Sequence, residues 1–588
     1  MQIPVRNCAN STYIVYMAHF HVKKKRGRPY LYVREIARVG GKPKVVSQIY
    51  IGSPERVAAM AKGELAEEIK LRVEEFGALF VANLMDKDVD LAGIIDSVIP
   101  REDKETGPTV GEYFLFCVLN RMVEAKSKRA LPEWYGQTAV QQIRPVDVSA
   151  LSSQRYREKW DRVGEEELAE ISRRFFAKIQ ELEEPRAGCL LFDTTNYYTY
   201  MATQTPSELA KRGRNKDSKH HLRQVGLGLL VEREERLPLW WCAYPGNLHD
   251  SRLFASVIEE FAHVVEGLAG TKKRLTIVMD KGMNSDGNYA VIDENRRIHF
   301  VTTYSLHYVP DLASVPLSRY SPADTRKNKR LEGTPEERLL AYRTTGAFWG
   351  KERAVVLTYN PKTARKQACI FSEKLSEVRE ELLSMRALVR EAAPHWRDAD
   401  KVLERYARLC ERLHVPADLY ELSLEQKASG LRIKFRKNQY AVEKKRALFG
   451  KNMIVTDNTD WTTEEIIQAS LDRWEVEDSF RQSKDDDLVG VQPIRHFTDS
   501  KIRCHLFCCV AALTYLRRLE KRLAEAGVKR TAKDVMEDMR YLHSVLLITD
   551  RGRTPTRRLE LPSKTQAEVL KALGYQVDKR GVLQLLEA

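Results

Sequence analysis

Five short apolar runs constrain this chain more than any other feature. Residues 188–192 (Gly-Cys-Leu-Leu-Phe) run into Asp193, and residues 274–279 (Arg-Leu-Thr-Ile-Val-Met) run into Asp280. Residues 224–231, 237–244 and 298–302 complete the set. Runs of this length, rich in Val, Ile and Leu and bounded by polar turns, read as buried strands. A helical pattern over 251–265 lies between the third and fourth runs. Several strands, a helix, then strand–helix–strand predict a mixed α/β domain.

The rest of the chain must be arranged around that domain. At 588 residues it has room for three or four cores. No apolar run approaches a membrane span, and Met1-Gln-Ile-Pro-Val-Arg6 lacks the plan of a signal peptide, so the expectation is a cytoplasmic, nucleoid-associated protein with no membrane partner. A net charge of +15 favours a polyanionic partner. Nine cysteines, an odd and scattered number, argue against a disulfide framework. Cys504, His505, Cys508 and Cys509 raise a zinc site, but their setting among Ile502, Leu506, Val510 and Leu513 reads as a helix whose small residues face a core.

Domain by domain, residues 1–105 read as a small β region and a helix, with strands at 12–18, 29–38 and 43–51, a turn at Gly40-Gly41, and a helix from the Ser53-Pro-Glu55 cap to about 84. The basic run Lys23–Arg28 is expected in the first hairpin loop, where it could touch a DNA backbone. Residues 106–186 read as helical, most periodic at 156–182, and as a possible DNA-end-binding module. Residues 187–304 hold the first part of the α/β core, and 305–450 interrupt it. Within the interruption, Leu375, Val378, Leu382, Met385 and Val389, then Val402, Tyr406, Leu409 and Leu413, predict a helical hairpin. Residues 451–545 resume the core, and 546–588 form a C-terminal tail.

The chemistry rests on three acids. Asp193 and Asp280 follow buried strands, and Glu477 lies on a later helix; together they could meet at one sheet edge. Hard oxygen ligands in a small cluster suit Mg²⁺ or Mn²⁺, and two such ions would serve an in-line phosphoryl displacement. Around Glu477, Arg473 and Lys484 stand four residues before and seven after. At about 100° per helical residue the three side chains project within roughly 40° of one another, so two cations flank the acid.

In order along the chain these segments resemble the DDE transposases of prokaryotic insertion sequences, in the group with a tyrosine–arginine–glutamate–lysine signature. Asp193-Thr-Thr-Asn196 is similar to the first-aspartate motif, Tyr244-Pro-Gly-Asn-Leu-His-Asp250 to the segment after the third core strand, and Val278-Met-Asp-Lys-Gly-Met-Asn-Ser285 to the second-aspartate motif. Trp461-Thr-Thr-Glu-Glu-Ile-Ile467, then Arg473, Glu477 and Lys484, resembles the signature helix and its lead-in. The resemblance spans about 188–545. It implies a ribonuclease H-like mixed sheet with helices, split by a large insertion and preceded by an N-terminal β-plus-helical region. It also implies Asp193, Asp280 and Glu477 as catalytic metal ligands, with Arg473 and Lys484 holding phosphates. The implied partners are the terminal inverted repeats, target DNA and a second copy of the chain in the active complex. A metal-dependent nuclease of the same fold and a non-catalytic repressor derived from a transposase are the rival readings.

Two details complete the expectations. The aromatic expected three residues before Arg473 is Ser470. In the insertion, residues 431–437 alternate strictly, placing Arg432, Lys434 and Arg436 on one face as a candidate DNA-backbone rail. Arg326-Lys-Asn-Lys-Arg330 is a second basic run, read as loop, and Trp349 is a candidate for stacking on a flipped base, as some relatives do.

Overall fold

The computed structural model describes residues 17–586 apart from 26, 40–41, 63–68, 186–187, 214–218, 220, 270–274, 296, 332, 428–429, 486 and 550–555. Residues 12–16 of the strand expected at 12–18, and the Gly40-Gly41 turn, lie outside the described residues. The chain divides into two units: residues 1–74, 544–560 and 579–582 form one, and the remainder forms the other.

The first unit holds an antiparallel sheet of Met17–Lys25, Arg28–Val39 and Lys42–Gly52, followed by a helix at Pro54–Ala61. Its second sheet orders Thr556–Leu559, His543–Thr549 and Ile69–Glu75. Three expectations change here. Lys23, Lys24 and Lys25 lie on a strand rather than in the loop, because the reversal is made at Gly27 (φ +77°) and Lys25 pairs with Arg28. The helix beginning after Ser53 stops at Ala61. Residues Ile69–Glu75 alternate apolar and charged side chains with period two, which suits a strand and not the helix extended to 84. The C-terminal segment is also structured, with Thr556–Leu559 in this unit's second sheet and a helix at Lys564–Ala572 that belongs to the other unit.

The second unit is built on one long mixed sheet. Its strands are β1 (Cys189–Thr199), β2 (Arg223–Glu232), β3 (Pro238–Pro245), β4 (Leu275–Met279), β5 (Ile298–Tyr304), β6 (Leu340–Phe348) and β7 (Lys351–Tyr359). The pair β8 (Tyr420–Lys427) and β9 (Gly430–Lys437) stands apart as a hairpin, and β10 (Lys451–Thr456) returns to the sheet. The order β3-β2-β1-β4-β5 has antiparallel pairs on the β2 side and parallel pairs at β1–β4 and β4–β5. That is the strand order and sense of a ribonuclease H-like core, as the motifs implied. Beyond β5 the sheet continues antiparallel through β10, β7 and β6, so the insertion's own strands extend the core sheet.

The helices explain themselves by what they bury. They are α1 (Val110–Val123), α2 (Glu165–Glu183), α3 (Asp250–Ala269), α4 (Asp286–Glu294), α5 (Pro361–Arg390), α6 (Ala399–Leu413), α7 (Thr463–Asp472), α8 (Trp474–Ser483) and α9 (Asp499–Glu525). α9 is apolar nearly all round and is the central helix, packed on α1, α2 and β3. Cys504, His505, Cys508 and Cys509 are buried on it among Leu506, Phe507 and Leu513, the core setting read from their neighbours. The periodic stretch 156–182 is divided, since the preceding helix ends at Trp160 and α2 starts after Gly164. α5 and α6 form the expected hairpin, their buried Leu375, Val378, Leu382, Val402 and Leu409 sharing a core with Leu431 and Ile433 of β9. The Arg326 run forms a one-turn helix capped by Thr325, with Asn328 buried and bonded to Ala323 and Leu339, not an irregular loop.

Candidate active site

Strand register places the first two acids side by side. β1 and β4 pair in parallel up to Leu191 opposite Val278. Asp193 and Asp280 each lie two residues further on, so their side chains leave the same face of adjacent strands. β4 ends at Met279, but β1 continues against β2 to Thr199. Asp193 is therefore inside a strand and not at its end. The reason is that Thr194 to Thr199 keep an antiparallel partner after the parallel one is lost.

The third acid arrives from the far side of the insertion. Thr462 and Glu465 form a reciprocal capping box that starts α7. The helix is interrupted at Arg473, which joins α7 to α8, and Lys484 stands just past the end of α8. The single continuous helix expected through 470–484 is thus two helices. Arg473 and Glu477 remain one turn apart and form an ion pair at 3.3 Å. α8 is held from its opposite side: Arg236 lies within 3.7 Å of Glu475 and 3.5 Å of Asp478, and Arg517 lies 3.2 Å from Asp478. Arg233, just after β2, fastens Asp472 at 2.6 Å. At the other end, Tyr197 of β1 meets Ser483 at 2.5 Å. These contacts fix the helix on the sheet with Glu477 directed toward Asp280.

Arg473 is the hub of the cluster. Its guanidinium donates to Asp280 Oδ1 at 2.5 Å while contacting Glu477. Burial pushes the Asp193 carboxyl up to about 6; the Thr194 N–H and Arg473 oppose the shift, and the negative charges of Asp280 and Glu477 add to it. All four groups thus share one electrostatic environment. The donor set consists of hard carboxylate oxygens and fits Mg²⁺ or Mn²⁺. Among the described residues, however, no three Asp, Glu, His or Cys side chains converge closely enough to hold a metal ion in this arrangement. Arg473 occupies the space between Asp280 and Glu477.

A fourth carboxylate escaped the sequence reading. Asp250, the first residue of α3, accepts a hydrogen bond from the Thr194 hydroxyl at 3.0 Å. A Cβ on Gly282 would lie 3.1 Å from Asp250 Oδ2 and 3.7 Å from Asp280 Oδ2, so glycine there lets two acids approach. The signal was present, because Asp250 closes the Tyr244–Asp250 motif, but nothing in that motif says which of its residues turns inward.

The remaining candidates are dispersed. Lys484 sits over the Tyr197 ring, 5.7 Å from its centroid. Arg432, Lys434 and Arg436 are exposed on β9 as the alternation required, but Glu425 and Glu421 of the facing strand pair with Lys434 at 2.5 Å and Arg436 at 2.9 Å. Trp349 is half-buried, stacked on Tyr289 with ring centroids 3.6 Å apart and edged by Phe300 and Tyr304. An exposed indole that was not singled out, Trp474, stands one residue after Arg473.

A model of the Transposase DDE domain matches residues 199–515, more than half of the chain. The chain belongs to the DDE transposase family. The match begins six residues after Asp193, so that residue's place in the family set rests on its register with Asp280. No curated protein matches the chain at a significant level. Among solved structures it is similar to the piggyBac transposase in a synaptic complex with hairpin DNA, at 10% identity and a TM-score of 0.36, covering 79% of each chain. That likeness is distant and carries no weight in assigning roles. Among the described residues, no helix is long and apolar enough to cross a membrane.

Proposed function

We propose that this DDE transposase cuts DNA at the ends of an insertion sequence and joins the freed ends to target DNA, as a member of the tyrosine–arginine–glutamate–lysine group in which Ser470 replaces the aromatic. The observation that carries the reading is the meeting of Asp193, Asp280, Arg473 and Glu477, four residues spread over 285 positions of sequence, at one edge of a ribonuclease H-like sheet.

Asp193, Asp280 and Glu477 would hold one or two Mg²⁺ or Mn²⁺ ions, which supply Lewis-acid activation of the attacking oxygen and stabilisation of the leaving one. Arg473 forks onto a phosphate oxygen, its planar donors exchanging a carboxylate for a phosphate. Lys484 adds a point charge to the neighbouring phosphate. Asp250 and Thr194 orient the aspartates, and the clamp of Arg236 and Arg517 holds α8 in place, so positioning and charge supply the catalysis. Trp349 and the outer face of β9 are assigned to DNA contact with smaller shares, since their rings and charges already have protein partners. The active complex contains two copies of the chain with the terminal inverted repeats and target DNA. Inverted repeats flanking the gene, bounded by short direct repeats, are the expected genomic context.

The direct test uses a linear DNA carrying such repeats, incubated with the protein and Mg²⁺ or Mn²⁺. Nicks at the repeat ends and joined products are expected. Hydrolysis without any joining of pre-cut ends would assign the nuclease reading instead, and end binding with no cleavage under either metal would assign the repressor.

A further inference from the structure

A second site lies away from the acids. A cavity of about 810 Å³ opens between α1, the segment after it, the helix Ser153–Trp160 and the start of α9. One wall is the chain that leaves α8: Val491 N–H bonds Ser483 O at 3.1 Å, and Ile494 bridges Thr199 of β1. Seven lysine and arginine side chains line the cavity, and among the described residues no carboxylate does. The volume lies within the range of roughly 300–1,000 Å³ typical of small-ligand sites.

The cations inside are costly to keep. Lys128 is only 8% exposed; its ammonium lies 3.2 Å from His505 Nδ1 and 4.8 Å from the centre of the Trp160 ring. Arg121, 7% exposed, donates to the carbonyls of Val489 and Gly490. Neither pairs with a carboxylate among the described residues; both instead act on the buried Cys117 thiol, which they draw downward against its burial, whereas the deeply buried Arg517 and Arg518 of α9 are each matched to a carboxylate. A buried charge without a counter-charge is costly unless a ligand supplies one.

Unused donors point the same way. Arg121, Trp160 and Tyr156 line this cavity, and Arg121 Nε, Trp160 Nε1 and Tyr156 Oη are buried with no hydrogen-bond partner among the described residues. Each is a donor, so what is missing is an oxygen-rich acceptor. Aromatic surface accompanies the charge. Trp160 and Tyr156 line the wall, and Phe497, 57% exposed, stands at the rim beside Arg495. Lys126 and Lys501 are answered by Glu124 and Asp161 just outside the lining, but Lys128 and Arg121 have no carboxylate and call for an anion, and rings beside them suit a base.

We propose that this cavity binds a nucleoside phosphate presented by a DNA strand, its phosphate drawn to Lys128 and Arg121 and its base set against Phe497 and the Trp160 wall. The choice of a strand over a free nucleotide rests on the DNA substrate of the proposed function and on the wall made by residues 490–498, whose Val491 is bonded to Ser483 in the last turn of the Glu477 helix.

The test is fluorescence anisotropy of the full chain with a labelled single-stranded oligonucleotide lacking any terminal repeat, in EDTA so that the acids take no metal. Arg495→Glu combined with Phe497→Ala, both surface changes, is expected to weaken binding about tenfold or more, the loss of one stacked base and one phosphate contact. Lys128→Met is expected to do the same. A 5-bromodeoxyuridine oligonucleotide should photo-crosslink to the peptides containing Trp160 or Phe497. Unchanged affinity in the double variant with its melting temperature preserved, or crosslinks confined to the Trp474 region, would overturn the proposal. Deoxyadenosine monophosphate and inorganic phosphate serve as competitors. Complete competition by the mononucleotide at concentrations equal to the oligonucleotide would overturn the strand and leave a free-nucleotide site, and weak competition supports the strand. Asp193→Ala should bind as wild type here. Cavity binding can therefore fail while cleavage persists, and cleavage can fail while cavity binding persists.

Discussion

The carboxylate corner and the α9 cavity both concentrate charge at the two ends of the segment 484–498, yet they are built in opposite ways. In the corner, Arg473 answers Asp280 and Glu477 directly and moderates the buried Asp193, leaving acids in excess. In the cavity, Lys128 and Arg121 face rings, carbonyls, the Cys117 thiol and a histidine whose charged form burial disfavours, with no carboxylate. The excess charge sets the sign of what each site is proposed to take: metal cations and the phosphates they carry in the first, an anion in the second. What the pair teaches is that the unanswered part of a charge cluster, and not its total, points to the ligand.

The largest effect should come from breaking the corner. Ala at Asp280 or at Glu477 is expected to lower metal-dependent DNA cleavage by roughly 1,000-fold or more while leaving the fold intact, since both side chains are part-exposed. Gel-resolved cleavage with parallel thermal melts reads both; activity within tenfold of wild type would remove that residue from the catalytic set. Next is a contrast inside the core. Glu183→Ala strips the carboxylate from the fully buried Arg518 and is expected to cost about 3–5 kcal/mol in denaturant unfolding. Lys128→Met removes a buried charge that has no acid, and should cost under about 1 kcal/mol or stabilise the protein. Equal losses from the two changes would make Lys128 a structural residue and dissolve the comparison.

A pH experiment sharpens the corner further. The Asp193 carboxyl is raised from 3.8 to about 6, so the native state holds its proton more tightly than the unfolded chain. The resulting penalty on stability is absent below pH 3.8, grows as pH rises through that window, and is complete above about 6. In EDTA, Asp193→Asn should therefore stabilise the protein at pH 8 by up to about 3 kcal/mol, a gain that disappears near pH 4. A gain that instead grows toward low pH would contradict the shift. The smallest effect is expected on β9, where Lys434→Ala with Arg436→Ala breaks two exposed ion pairs and should leave the denaturant midpoint unchanged. A loss of DNA affinity above about tenfold there would restore the basic rail to the main binding surface.

Much of this was legible in the chain. The apolar runs located β1 to β5, the three–four spacing located α5 and α6, and alternation placed Leu431 and Ile433 in the core with Arg432, Lys434 and Arg436 outside. What failed depended on partners far away in sequence. β1 passes through Asp193 because β2 keeps pairing after β4 ends. Ile69–Glu75 is a strand whose neighbour in the sheet comes from beyond residue 540. The glutamates that answer Lys434 and Arg436 sit on β8, the strand paired with β9. Asp250 closes the Tyr244–Asp250 motif, but only the approach of Thr194 and Gly282 sets it beside the other acids.

By itself, then, the sequence located most strands and helices of the sheet domain, named the candidate acids and pointed to the family, because apolar periodicity and ordered motifs are local properties. Only the tertiary structure decided which charges meet. It set Asp193 beside Asp280 through strand register, drew Glu477 to them across the 197 residues that separate it from Asp280, and broke the signature helix at Arg473 so that one cation could bind two acids. It also gathered Arg121, Lys128 and Arg495 from separate segments into one cavity, where no reading of neighbours in the chain would have placed them together. The physical reason is the same in both places: electrostatic and hydrogen-bond satisfaction is settled between side chains in space, and sequence distance carries almost none of that information.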